Sequence, residues 1–412
     1  MQIDPERLYQ ELARLGEIGA YTDDRTGLRG VNRLALTEAD GAGRRHVVQS
    51  MLDLGLGVRI DKIGNVYARQ EGREPGLAPV MIGSHVDSVP TAGRFDGCLG
   101  VLGGLEVLRT MAEAGHRPRR PIVVAFFTDE EGCRFGTDML GSAVATGRLS
   151  LEQATGLLDA EGNRMGEELQ RIGFEGEHPV ELDPPYAYLE VHIEQGPVLR
   201  AHGVDLGIVT GVQGISWQKL TILGRSAHAG TTPMELRRDA GLAAARINLF
   251  LHELTARIPG ARATMGAIRP EPGLVNIVPG RVVCTVDLRN PDEALLAQAE
   301  AELAAFLVQV ETLDGVQIEA RQTARTPPVA FDPAIQARIE AAAKGLQLST
   351  ERIISGAGHD AQELARLCPT GMIFVPGEHE GISHNPRELS TMTQCGDGVQ
   401  VLLRVVTELA EA

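Results

Sequence analysis

Residues 216–223, SWQKLTIL, read as a strand and mark the point where the chain changes its pattern. A helical pattern follows from near residue 233 to near 257. Two strands come next, around 264–269 and 281–288, with 274–278 extended between them. A helix from 291 to about 312 and a strand at 316–320 close the unit. The order β-α-β-β-α-β is the ferredoxin-like arrangement, complete in itself as a small domain. Before it, short apolar runs (79–83, 122–127, 188–193) alternate with helical patterns at 37–54 and 97–114, as in an α/β sheet. After TARTPPVAFDP (323–333) the earlier pattern returns, with a strand at 372–375. The expected fold is therefore an α/β domain with a mixed sheet flanked by helices, residues 1–212 and 327–412. An α+β domain, residues 213–326, interrupts it.

The 412 residues suit two or three domains at roughly 150 residues each. Acidic side chains outnumber basic ones 55 to 39, a formal charge of −16, which disfavours nucleic acid as a partner because a phosphate backbone needs a basic face. No uncharged apolar run approaches the roughly 18 residues of a membrane helix. The N-terminal stretch MQIDPERLYQELARLGEIG lacks the apolar core of a signal peptide. The five cysteines are scattered and form no Cys-x-x-Cys, so reduced thiols in a cytoplasmic protein are expected.

Four segments group histidines with carboxylates. GSHVDSVPTAGRFDGCLG (83–100) carries His85, Asp87 and Asp96 in a loop after a strand, where α/β sheets place their ligands. His85 and Asp87 are two apart, so an extended chain points both the same way and lets the carboxylate orient the imidazole. VVAFFTDEEG (123–132) runs an apolar strand into Asp129, Glu130 and Glu131, whose mutual repulsion a cation or solvent must relieve. YLEVHIEQG (188–196) alternates Glu190, His192 and Glu194 on one strand face, the mark of a pocket. GEHEGISHNPRE (377–388) offers His379 and His384. Singly, each also fits a solvated loop or a hydrogen-bonded core histidine. Together His85, Asp96, Glu131, His192 and His384 form a nitrogen/oxygen donor set without thiolate, suited to zinc, cobalt, nickel or manganese. Five donors exceed one tetrahedral ion but suit two ions about 3.5–4 Å apart sharing a carboxylate. Glu130 remains beside them as a general base.

These motifs resemble the co-catalytic zinc aminoacylase and carboxypeptidase family, and within it the hydantoinase/carbamoylase branch. The likeness covers nearly the whole chain, including TGLRGVNRLALTEADG (26–41) and SGAGHDA (355–361). It implies two divalent ions per subunit, with zinc expected first and manganese, cobalt or nickel as alternatives, and Asp96 bridging them. It implies Glu130 as catalytic base, Asp87 as the carboxylate orienting His85, and His228 as a histidine brought to the substrate by the inserted dimerisation (lid) domain of a homodimer. Asn276 and Arg289 resemble the pair that grips a substrate carboxylate, while Gln195 and backbone groups at Gly356 and Gly358 line the site. The implied reaction is hydrolysis of the ureido amide of N-carbamoyl-L-amino acids to amino acid, carbon dioxide and ammonia. Allantoate and N-carbamoyl-β-alanine are alternative substrates. A dipeptidase or aminoacylase, and a catalytically silent metal-binding dimer, are more distant readings.

Rival chemistries lack their motifs. There is no Gly-x-Ser-x-Gly, and none of Lys62, Lys219 and Lys344 precedes Ser or Thr as a P-loop requires. Gly356–Ala361 fits Gly-x-Gly-x-x-Ala, but without a βαβ unit and a ribose-binding carboxylate.

Overall fold

The apolar runs become the centre of a mixed sheet. In this computed structural model, which describes residues 1–412, four mutually parallel strands lie in the order Thr370–Val375, Ala187–Ile193, Val80–His85, Ile122–Phe127. Every residue of all four is buried, which is why they read as unbroken apolar runs rather than alternating ones. Antiparallel strands extend the sheet on either side: Val66–Gln70 and then Gly57–Ile60 beyond Ile122–Phe127, and Leu206–Val212 beyond Thr370–Val375.

Helices flank the sheet. The glycine-rich segment forms helix Cys98–Glu113, which lies almost on the backbone of the central strands. A Cβ at Gly100 would sit 2.7 Å from Ser84 Cβ and 2.9 Å from the Val191 carbonyl. Gly97, just before the helix, has φ of 65°, and a Cβ there would come within 2.4 Å of the His85 ring. Only glycine fits both demands. Helix Glu38–Asp53 starts where the sequence placed it, with the Thr37 side chain accepting from the Asp40 N–H. No helix is long and apolar enough to cross a membrane.

The chain divides into two compact units, residues 1–211 with 330–412, and residues 212–329. The second holds an antiparallel sheet in which Arg262–Thr264 and Ile268–Glu271 pair with Arg281–Asn290, which pairs with Gly214–Leu223, which pairs with Gln317–Thr326. Numbered by chain order this is 4-1-3-2, the ferredoxin-like topology. Helices Ala240–Arg257 and Glu293–Asp314 cover one face of the sheet, and their Phe250 and Phe306 rings stack with centroids 4.0 Å apart.

Several boundaries differ from the sequence reading; the strand expected at 316–320, for one, runs on from Gln317 to Thr326. The helix expected from residue 233 begins at Ala240, because Asp239 caps it by accepting the Gly241 and Leu242 N–H groups; Met234–Leu236 is a separate 3-10 turn. The strand expected at 264–269 is two short strands, broken where the Ala267 N–H turns to the Thr285 hydroxyl.

Candidate metal centre

Because the four central strands are parallel, their C-terminal ends open on one edge of the sheet, and each delivers part of the donor set there. His85 ends its strand, in register with Phe127; the next strand runs on into Asp129–Glu131. His192 sits near the end of the third, opposite Phe374, and the fourth leads into the loop bearing His384. Asp96 comes from the loop before helix Cys98–Glu113.

Asp96 joins two donor groups. Its Oδ1 lies 3.1 Å from His192 Nε2 and 3.5 Å from His85 Nε2. Its Oδ2 lies 3.4 Å from His384 Nε2, which is 3.3 Å from Glu131 Oε2. Within each group, His85–Asp96–His192 and Asp96–Glu131–His384, the donor atoms lie within 4.8 Å of one another. The residues fit divalent metal on three counts. The donors are imidazole and carboxylate only, the shared carboxylate presents one oxygen to each group, and Glu131 Oε1 is buried without a hydrogen-bond partner. Both His85 and His192 place Nδ1 against a backbone carbonyl, of Asp87 (3.0 Å) and Ile193 (2.9 Å), which turns Nε2 toward Asp96; His192 Nε2 also accepts the Gly97 N–H at 3.1 Å.

Without metal, these groups perturb one another. Burial alone would raise the Asp96 carboxyl, but hydrogen bonds from His192, His384 and His85 hold it well below its ordinary value. His384 is pushed up to about 10 by Asp96 and Glu131. Glu130 stands beside the groups, its Oε2 3.5 Å from His85 Nε2, and burial pushes its carboxyl well above the usual range against the pull of His85. Three non-glycine residues here, Asp129, Gln195 and His384, adopt left-handed backbone with φ of 53–55°. Strain of this kind concentrates at functional sites.

Some expectations need correction. The Asp87 carboxylate does not orient His85: it lies 3.9 Å from Nδ1, whose partner is the Asp87 backbone carbonyl. The carboxylate instead accepts from the Glu130 and Glu131 N–H groups, each at 3.4 Å, and so holds the loop that carries both glutamates. Glu194 does not face the centre; it accepts the Val198 and Leu199 N–H groups at the start of a short helix. His379 is not among the donors. Gln195 Nε2 donates to Asp96 Oδ2 at 2.7 Å, which places it against the carboxylate shared by the two donor groups. Gly356 and Gly358 lie between strand Thr350–Ser355 and helix Asp360–Leu364. In the second unit His228 and Asn276 are neighbours: Ala227–His228 pairs with Ile277–Val278, and the Ala229 N–H donates to the Asn276 carbonyl. Both side chains are exposed. Arg289 grips Asp287 through Nε and Nη2 at 2.8–3.0 Å.

Known proteins resemble this chain over its whole length. The family described as peptidase family M20/M25/M40 matches residues 81–408. The chain belongs to that family. It is 40% identical over 411 residues to an N-carbamoyl-L-amino-acid amidohydrolase of Rhizobium meliloti, covering 100% of this chain and 97% of the relative. It is 39% identical to an N-carbamoyl-L-amino acid amidohydrolase of Geobacillus stearothermophilus, with 99% of each chain covered. A solved structure of an amidase of the hydantoinase/carbamoylase family from Burkholderia multivorans superposes with a TM-score of 0.95 at 42% identity, covering 100% of this chain and 99% of that one.

In this member of the M20/M25/M40 family, sequence reading marked Glu190 as a pocket residue but missed its partners, and it missed Arg134. Buried Glu190 accepts from Ser84, Tyr188 and the Ala361 N–H. Arg134, just past the Glu130–Glu131 loop, is anchored by Asp159, Glu168 and the Ala35 carbonyl. The two donor groups also differ in access: His85, Asp96 and His192 are buried, whereas the His384 side chain is 47% exposed. If each group holds an ion, titrating the metal-loaded protein with chelator is expected to remove metal in two steps, with the Asp96–Glu131–His384 group emptied first. Loss of both ions in one step, followed by metal analysis, would contradict unequal groups.

Proposed function

We propose that the protein hydrolyses the ureido amide of N-carbamoyl-L-amino acids. The observation that carries the chemistry is the pair of donor groups sharing Asp96 with the buried carboxyl of Glu130 beside them. The full-length likeness to N-carbamoyl-L-amino acid amidohydrolases supports the substrate class. His85, Asp96 and His192 would hold one divalent ion, and Asp96, Glu131 and His384 a second; zinc is the proposed metal. Such ions, when bound, act as Lewis acids and lower the pKa of water toward about 7.

The residues of the chain do the rest. Glu130 takes a proton from the water that attacks the ureido carbonyl carbon and delivers it to the amino nitrogen as the C–N bond breaks. The products are the free amino acid and carbamate, which falls to carbon dioxide and ammonia. His228 stabilises the negative charge developing on the carbonyl oxygen. Arg289, released from Asp287, and Asn276 receive the substrate carboxylate; a guanidinium suits this because its planar fork matches two oxygens. Gln195 and the backbone at Gly356 and Gly358 line the site. Ammonia release by metal-reconstituted enzyme tests the assignment. N-carbamoyl-L-amino acids should be turned over fastest among these, N-carbamoyl-β-alanine, allantoate and dipeptides. Preference for any of the others overturns it.

The homodimer is part of the same proposal. Leu242 and Leu249 on helix Ala240–Arg257, and Ile268 on the outer strand Ile268–Glu271, are exposed apolar residues of the second unit. An open strand edge beside apolar side chains suits pairing with a second copy. If His228 serves the partner's site, mixing His228→Ala with Glu130→Gln protein restores activity through hybrid dimers, each holding one site with both residues intact. Absence of rescue under verified subunit exchange places His228 in its own subunit's site or outside catalysis.

A further inference from the structure

Glu388 lies four residues after His384 and is buried, only 6% exposed. Its Oε1 accepts the backbone N–H of Phe95 at 2.9 Å and of Asp96 at 3.2 Å, across 293 and 292 residues of sequence. Its Oε2 accepts from the Ser383 hydroxyl at 2.8 Å, and the same hydroxyl lies 2.8 Å from Asp96 Oδ2. The turn 383–388 is thus fastened to the 95–96 loop at two points on the shared aspartate, its main chain through Glu388 and its carboxylate through Ser383. Gly93 makes room for this, because a Cβ there would stand 2.4 Å from Glu388 Cβ and 2.5 Å from its Oε1.

We infer that Glu388 is a positioning residue for the metal centre: it clamps the His384 turn to the Asp96 loop, so that the half-exposed imidazole and the Oδ2 face of the shared carboxylate meet around one ion. This rests on the reading of the donor set as a metal site, but not on the substrate. The clamp reaches His85 and His192 only through the Asp96 loop, since each is carried by a central strand and held by a backbone carbonyl, whereas His384 lies in the clamped turn itself. The clamp therefore acts on one ion more than the other. Hydrogen-bond partners of metal ligands typically govern affinity by about 10–100-fold, and a loss in that range is expected at the Asp96–Glu131–His384 group.

The test titrates metal-free full-length protein with zinc or manganese alone, resolving two binding constants, and records the melting temperature of the metal-free form. Glu388→Ala is expected to weaken the second ion about 10–100-fold and to change the first much less. Glu388→Gln, whose amide oxygen still accepts the two N–H groups, is expected to retain more of the affinity. Two further variants guard against a misfolded Glu388→Ala. Ser383→Ala removes only the hydroxyl link, and Gly93→Ala displaces Glu388 while keeping its carboxylate; both should weaken the second ion selectively. Two wild-type constants in all variants overturn the inference, and so does equal weakening of both ions alongside a lowered melting temperature, which marks a merely structural residue. Wild-type protein that binds neither metal overturns the metal-site reading and this inference with it, whereas inactivity on carbamoyl substrates with both ions bound overturns only the proposed reaction.

Discussion

Glu130→Gln is expected to bind metal as the wild type does and to lose kcat by a factor of about 10²–10⁴, the usual contribution of a positioned acid–base group. The carboxamide keeps the shape of the side chain and removes only the ability to take and return a proton. Nothing in the structure makes Glu130 necessary to either donor group: it lies 3.5 Å from His85 Nε2, yet both groups are complete without it. In the metal-free protein, burial, with Asp360, Glu131 and Asp96 adding to it, raises its proton affinity while His85 opposes. Steady-state kinetics paired with metal analysis of the same sample decide the matter. Full loading with turnover near that of the wild type would remove Glu130 from the mechanism.

The second large effect is on stability. Asp40→Ala is expected to destabilise the protein by about 3–5 kcal/mol, because it strands a charge in the interior. Asp40 Oδ2 lies 2.8 Å from Arg44 Nε, and both side chains are fully buried. The same oxygen accepts the Leu36 N–H, while Arg44 reaches the Gly64 carbonyl and the Thr128 hydroxyl and lies near the Phe126 and Phe174 rings. Removing Asp40 leaves the buried guanidinium without its ion-pair partner. Replacing both, as Asp40→Leu with Arg44→Met, should cost less, since neither member of the ion pair is left without the other. Urea denaturation of the metal-free proteins measures both, and a double variant as unstable as the single one refutes the argument. Thr128 immediately precedes Asp129–Glu131, so the single variant should also loosen the loop that carries Glu130.

Three of the candidate donors stood out because they sit at or just past the end of an apolar run: a strand buried on both faces has no use for His85, Glu131 or His192 unless its end opens on a site. The inserted unit was legible through the order of its elements, and Arg289 beside Asp287 was foreseeable as a local pair from their two-residue spacing. What stayed hidden depends on partners remote in the chain. Glu388 looks like any acidic residue in a polar turn until Phe95 and Asp96 are brought to it. Asp40 and Arg44, four apart on a helix, have the spacing of an ordinary surface pair, and only full burial sets them apart. At Asp87 extended-strand geometry was carried past the end of the strand, and the backbone carbonyl at 3.0 Å, rather than the carboxylate at 3.9 Å, is the nearer partner of the ring. Glu194 was misjudged in the same way, one residue beyond Ile193 where its strand ends.

The close approach of helix Cys98–Glu113 to the central strands limits how this scaffold can diversify. At Gly97 a single added methyl would strike the His85 ring, and at Gly100 it would strike Ser84, the residue that hydrogen-bonds Glu190. Random mutation therefore finds almost no tolerated change on the underside of the donors, where each step would disturb metal and fold together. Laboratory evolution toward new substrates should accumulate its accepted changes elsewhere, in the loops beyond the strand ends, and leave these glycines untouched.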